Sequence, residues 1–304
     1  MRLLTFSNTA GAPGRIGALR GNNDRLVDIG HAARQLGLSL EFDERDMVSL
    51  IAAGDAALAR LARLVAEAPA DLPLAGVHLM APIPRPRKNI FCVGWNYLAH
   101  FKEGEKARPQ VTEMPAHPAF FTKAPTTAIG PRDPIPFHSS LSAQLDWEVE
   151  LGVVIGKGGK DIRAEDALRH VFGYCVINDV SWRDIQRRHG QQWFKGKSID
   201  GTCPMGPWLT TADEIDPGDL RLTCRVNGVT KQDSSTAHMY FRIPQIIAEL
   251  SQGMTLEAGD IIATGTPAGV GHARTPPEFM KPGDVLESEI AGLGLLRNLI
   301  VAVS

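Results

Sequence analysis

The chain has 304 residues, 43% of them hydrophobic and 22% charged, with a formal net charge of −2. Such a composition suits a soluble globular protein with a sizeable core, and its near-neutral charge gives no pull toward nucleic acid or an anionic membrane. The apolar start is too short for a signal peptide and no run approaches a membrane span, which predicts a cytoplasmic protein. The four cysteines, Cys92, Cys175, Cys203 and Cys224, show no Cys-x-x-Cys spacing, so they read as buried reduced thiols rather than zinc or redox pairs.

Residues 1–80 read as a small α+β unit. Short strands are expected at 3–6, 15–19 and 25–28, joined by Gly/Asn turns. A helix is expected over 55–68, with Asp55 as N-cap, an apolar stripe of Leu58, Leu61 and Val65, and Pro69 as its stop. The run Ala-Pro-Ile-Pro-Arg-Pro-Arg at 81–87 is a stiff extended linker, because proline fixes φ and restrains its predecessor. It marks the expected boundary with a second unit, 81–304. There the pattern turns strand-rich, with strands expected at 89–93, 119–122, 147–155, 171–178, 220–226, 260–264, 285–290 and 295–301. Helices are fewer: one over 97–103, one after Ser181 as N-cap, and one opening at Pro244 and ended by Gly253. The fold class that follows is strand-rich α+β.

Glu148 and Glu150 lie in the run Leu-Asp-Trp-Glu-Val-Glu-Leu-Gly-Val-Val-Ile at 145–155. Alternation along a strand puts both carboxylates on one face. A Glu-x-Glu pair is commonly just a wet strand face, and Glu287-Ser288-Glu289 reads that way. The first pair differs because the apolar run beyond it implies a strand covered on both faces. Buried paired carboxylates repel unless a cation sits between them, and oxygen ligands suit Mg²⁺, Mn²⁺ or Ca²⁺. Asp179, at the tip of the later 171–178 run, supplies a third carboxylate.

Other stretches carry chemistry. His100 and Glu103 are three apart on a short helix, so the carboxylate can orient the imidazole as a general base. Lys197 sits in the loop-like Phe-Lys-Gly-Lys-Ser-Ile-Asp-Gly at 194–201. The run Gly-Thr-Pro-Ala-Gly-Val-Gly at 265–271 is a turn or a backbone N–H cradle for a carboxylate, and it lacks the Gly-Lys-Ser/Thr ending of a Walker loop.

Across residues 89–301 the motifs Asn-Tyr-x-x-His-x-x-Glu, Glu-x-Glu-Leu-Gly-Val-Val-Ile-Gly, Asn-Asp-Val-Ser-x-Arg-Asp-x-Gln, Gly-Lys-Ser-x-Asp-Gly and Gly-Asp-Ile-Ile-x-Thr-Gly-Thr-Pro-x-Gly-Val-Gly occur in order. Together they resemble the fumarylacetoacetate hydrolase family, in the branch of acylpyruvate hydrolases, oxaloacetate decarboxylases and 2-hydroxyhepta-2,4-diene-1,7-dioate isomerases. The resemblance implies a mixed β-roll behind a small N-terminal domain, usually as a homodimer. It implies Glu148, Glu150 and Asp179 as ligands of Mg²⁺ or Mn²⁺, with Ca²⁺ allowed. It implies His100 and Glu103 as a catalytic dyad on a mobile lid over 94–118, Lys197 at the reacting oxygen, and Arg183, Gln186 and Thr266 as substrate contacts. The expected reaction is hydrolytic C–C cleavage of an acylpyruvate-type 2-oxo acid. Decarboxylation or tautomerisation of a 2-oxo diacid is the alternative, and a non-catalytic metal-binding scaffold is the reading from another class.

Overall fold

A computed structural model describes residues 1–68, 72–104, 113–190 and 192–303. Residues 105–112 of the expected lid lie outside the described residues. Strand Val149–Ile155 lies within a 12-stranded mixed sheet and all seven of its residues are buried. It pairs antiparallel with Val171–Asn178 on one side and with Ile261–Ala263 on the other. Past Ile261–Ala263 come Ile90–Gly94, parallel to it, and then Ala119–Lys123. Past Val171–Asn178 come Cys203–Thr211 and the N-terminal strands Arg2–Ser7, Arg15–Arg20 and Arg25–Asp28.

The period-two alternation divides Val149–Ile155 between two cores. Val149, Leu151, Val153 and Ile155 join a cluster with Leu222, Leu286, Leu296 and Ile300. Those four belong to a five-stranded sheet ordered Val229–Ser235, Arg221–Val226, Val285–Ile290, Gly294–Val303, Ile135–His138. Val154, on the other face, joins Ala32, Leu50, Leu61 and Leu64 of the N-terminal helices Ile29–Gln35, Met47–Ala52 and Gly54–Glu67. The expected strand-rich α+β class holds. No helix among the described residues is long and apolar enough to cross a membrane, and all four cysteines are free and buried.

Several expectations shift in detail. The strand expected from Trp147 begins at Val149, because Leu145–Asp146 pairs separately with Ser181–Trp182 and the Glu148 amide donates to the Asn178 side chain at 3.0 Å. Ser181 is therefore in a strand, its hydroxyl donating to the Asp179 carbonyl, and Trp182 takes the N-cap position of helix Arg183–Arg188. Asp55 lies inside the first turn of its helix, where a carboxylate complements the dipole, rather than capping it. Lys197 ends a short helix, Phe194–Lys197, in place of the expected loop. The strands not expected include Ile135–His138, Cys203–Thr211, whose Pro204 and Pro207 argue against a central strand, and Val229–Ser235, a polar edge. Hydrogen bonding runs across the expected boundary at residue 80, since Leu3 pairs with Leu209. Independent folding of 1–80 stands as a proposal.

Candidate active site

The register that sets Val149 opposite Asn178 and Glu150 opposite Ile177 brings Glu148 beside Asp179, whose amide donates to the Glu148 carbonyl at 2.8 Å. Opposed residues, and residues two apart, share a face. One carboxylate oxygen from each of Glu148, Glu150 and Asp179 lies within 4.8 Å of the others, and all three residues are buried. Burial first, then the charges of Asp179 and Glu148, push the Glu150 carboxyl well above the ordinary carboxylate range. Oδ1 of Asp179 is buried and has no aligned hydrogen-bond donor among the described residues. An all-oxygen donor set in need of positive charge fits a hard divalent cation.

Protein cations surround the trio. Lys197 Nζ lies 2.7 Å from Glu148 Oε2 and 2.6 Å from Asp179 Oδ2. Arg183 spans Glu148 Oε1 at 2.6 Å and Asp146 Oδ2 at 2.7 Å. Lys123, fully enclosed, lies 2.8 Å from Asp179 Oδ1 and donates to the carbonyls of Val180 and Lys197. Burial works to raise the Glu148 carboxyl, but Lys197 and Arg183 outweigh it and hold it below its ordinary range. Burial likewise works against the Lys197 ammonium, yet Asp179 and Glu148 keep it above the usual lysine value. The two directions agree, so Lys197 and Glu148 are both ionised.

The loop after Ile261–Ala263 is a carboxylate cradle, and the carboxylates it holds are the chain's own. The Gly265 amide donates to Glu150 Oε2 at 2.7 Å, Gly269 to Glu103 Oε2 at 2.8 Å, and Gly271 to Asp146 Oδ1 at 2.7 Å. Gly265 and Gly269 adopt φ of +98° and +110°. A Cβ at Gly269 would also stand 2.1 Å from the Lys231 carbonyl oxygen, so only glycine fits there. Glu103, steadied by this loop, meets His100 Nδ1 at 2.7 Å from helix Leu98–Glu103. The Thr266 hydroxyl donates to the Val149 carbonyl and accepts from Gln232.

Of the nine site residues singled out in the sequence, seven line one cavity of about 290 Å³; Asp179 and Glu103 are off its wall and bond to Lys197 and His100, which are on it. Further residues of the site carried weaker signals. Asp146 continues the Glu148/Glu150 alternation by one step. Arg187 lies one helical turn beyond Arg183, which is enough to place it on the same face. Lys123 and His272 belong to no spacing that would single them out.

The family model described as fumarylacetoacetate (FAA) hydrolase C-terminal matches residues 89–301. An oxaloacetate tautomerase of Bacillus subtilis (strain 168), YisK, is 45% identical over 289 residues, covering 92% of this chain and 94% of that protein. Among solved structures, the fumarylacetoacetate hydrolase of psychrophilic Exiguobacterium antarcticum has a TM-score of 0.80 and 39% identity, covering all of both chains. A maleylpyruvate hydrolase from Sphingobium sp. SYK-6, in complex with manganese(II) and pyruvate, has a TM-score of 0.78 and 29% identity over all of both chains. With a model match over most of its length and named enzymes aligned along nearly all of it, this chain belongs to the fumarylacetoacetate hydrolase family of enzymes.

Proposed function

We propose that the protein interconverts the enol and keto forms of a 2-oxo diacid of the oxaloacetate type, with a divalent ion at Glu148, Glu150 and Asp179. Arg187 carries this choice. It lines the same cavity as the carboxylates and has no ion-pair partner among the described residues. A second substrate carboxylate would complete that pairing; an acylpyruvate with one carboxylate would not. The tautomerase activity named for the Bacillus subtilis relative supports the same order, which puts tautomerisation ahead of the C–C hydrolysis expected from the motifs.

Mg²⁺ or Mn²⁺ held there would supply Lewis-acid stabilisation of negative charge on the C2 oxygen of the substrate. Lys197, buried and charged, would donate a hydrogen bond to the same oxygen. Arg183 would fix Glu148, while Gln186 and Thr266 stand as substrate contacts on the cavity wall. With Nδ1 tied to Glu103, His100 would move the proton at C3. Hydrolysis of an acylpyruvate is the second reading, favoured by that same His100–Glu103 pair, which would then take a proton from water. The homodimer, the cytoplasmic location and a place in aromatic catabolism belong to the same proposal.

Loss of enol absorbance from oxaloacetate, with Mg²⁺ and with chelator, tests the proposal against pyruvate release from an acylpyruvate. Mg²⁺-dependent acceleration with oxaloacetate is expected; cleavage of the acylpyruvate with oxaloacetate untouched overturns it. His100→Ala should slow enol loss by about 10²–10⁴-fold while calorimetric Mg²⁺ affinity stays at the parent value.

A further inference from the structure

His272 follows directly on the loop that anchors Glu150, Glu103 and Asp146, and it lines the cavity. Its position is fixed twice over. The backbone amide donates to Asp146 Oδ2 at 3.0 Å, and the ring Nδ1 lies 3.1 Å from the same oxygen. Asp146 also accepts from the amides of Trp147 and Gly271 and from Arg183 Nε. Four donors converge on it, one of them the Arg183 guanidinium, and make Asp146 the acceptor of the pair. The hydrogen between the two groups therefore sits on Nδ1, and Nε2 keeps its lone pair. Burial, then the neighbouring Arg183, hold the imidazole below the usual histidine range. Nε2 has no hydrogen-bond partner among the described residues.

The cavity thus holds two imidazoles, each oriented through Nδ1 by a carboxylate: His100 by Glu103 and His272 by Asp146. The other basic side chains on its wall, Arg183, Arg187 and Lys197, only donate. Tautomerisation takes a proton from one substrate atom and delivers one to another. A single base must carry it between them, whereas two need not.

We propose that His272 is a second catalytic base of this cavity, accepting the enol O–H proton while His100, as imidazolium, gives a proton to C3. The O–H bond breaks toward Nε2, the C=C electron pair forms the new C3–H bond, and C2–O becomes a carbonyl. Water then takes the proton from His272 and returns one to His100, so no proton is consumed. This role rests on the tautomerase reading above.

His272→Asn keeps an amide N–H near the Nδ1 position, able to reach Asp146, and removes Nε2. In the Mg²⁺-loaded protein kcat for enol oxaloacetate should fall by about 10²–10⁴-fold, with KM and the thermal midpoint little changed and partial recovery on adding imidazole. A residue that merely steadied Asp146 would leave His272→Asn at the parent kcat, and that result overturns the proposal. A second measurement does not need turnover. The His272 Cε1–H resonance, identified by its loss in His272→Asn, should shift when oxalate is added with Mg²⁺; an unmoved resonance overturns the assignment. If the parent protein leaves enol oxaloacetate untouched, the tautomerase reading fails, and the resonance then decides alone whether His272 faces the ligand.

Discussion

Glu148 and Glu150 flank Val149, and Glu287 and Glu289 flank Ser288, each pair at the spacing that puts two side chains on one face of a strand. In strand Val285–Ile290 the glutamate side is open: Glu287 is half-buried and Glu289 exposed, while Leu286, Ser288 and Ile290 point into the core. Arg225 on the neighbouring strand meets both, at 3.1 Å and 2.9 Å, and water is free to screen the rest. At the other pair both carboxylates are buried and meet only the cavity that they line. Glu148 and Glu150 are enclosed with Asp179, and their charge is met by Lys197, Arg183 and buried amides. Spacing is common to both pairs; what separates them is whether the surrounding sheet leaves the carboxylates any solvent. Only the enclosed pair is held in a state that a small cation would relieve.

The largest effect expected from this contrast is on stability. Lys197→Ala leaves Glu148 and Asp179 buried without their shared ammonium, which should cost about 3–5 kcal/mol in urea unfolding of the metal-free protein. It should also abolish turnover, since Lys197 is proposed to act on the reacting oxygen. Arg225→Ala removes the cation from the open pair, where a screened interaction contributes about 0–1 kcal/mol. Equal costs for the two variants would break the comparison.

A smaller effect separates the charge of Glu150 from its shape. In Glu150→Gln the amide oxygen can still accept from Gly265, but one ligand charge is gone. Changes behind a ligand typically cost 10–100-fold in metal affinity, so loss of a ligand should exceed about 100-fold in calorimetric titration with Mg²⁺. Metal-free Glu150→Gln should be more stable than the parent, because it takes a repelled carboxylate out of a buried site. Unchanged Mg²⁺ affinity would sink the three-carboxylate site.

Much of this contrast was legible before the fold was known. The unbroken Leu-Gly-Val-Val-Ile run after Glu150 signals a strand covered on both faces, whereas Glu287 precedes a turn. Antiparallel register then brings Asp179 to Glu148, a consequence of strand pairing that no local spacing encodes. Residues presented by local periodicity, such as His100 with Glu103, were readable. Those delivered by long-range packing were not: Lys123 reaches Asp179 from 56 positions away along the chain, and His272 meets Asp146 across 126. Strand Cys203–Thr211 was hidden for a related reason, since its prolines oppose a strand locally while pairing on both sides holds it in one.

The smallest effect is expected at Glu287→Gln. The substitution takes the charge out of a 3.1 Å contact with Arg225 and a 3.6 Å approach from Arg297, in an open cluster where Arg225 keeps Glu289 at 2.9 Å. Surface changes of this kind fall within about 0.5 kcal/mol, so the thermal midpoint should move by no more than about 1–2 °C. Mg²⁺ affinity and enol turnover should equal the parent values, because among the described residues no bond links Glu287 to the cavity wall. The experiment gains its force beside Glu150→Gln: the chemical change is identical, and each residue belongs to a Glu-x-Glu pair on one face of a strand. Should Glu287→Gln loosen Mg²⁺ as Glu150→Gln does, the spacing of two glutamates would matter more than their enclosure, and the metal would have to be sought on the five-stranded sheet.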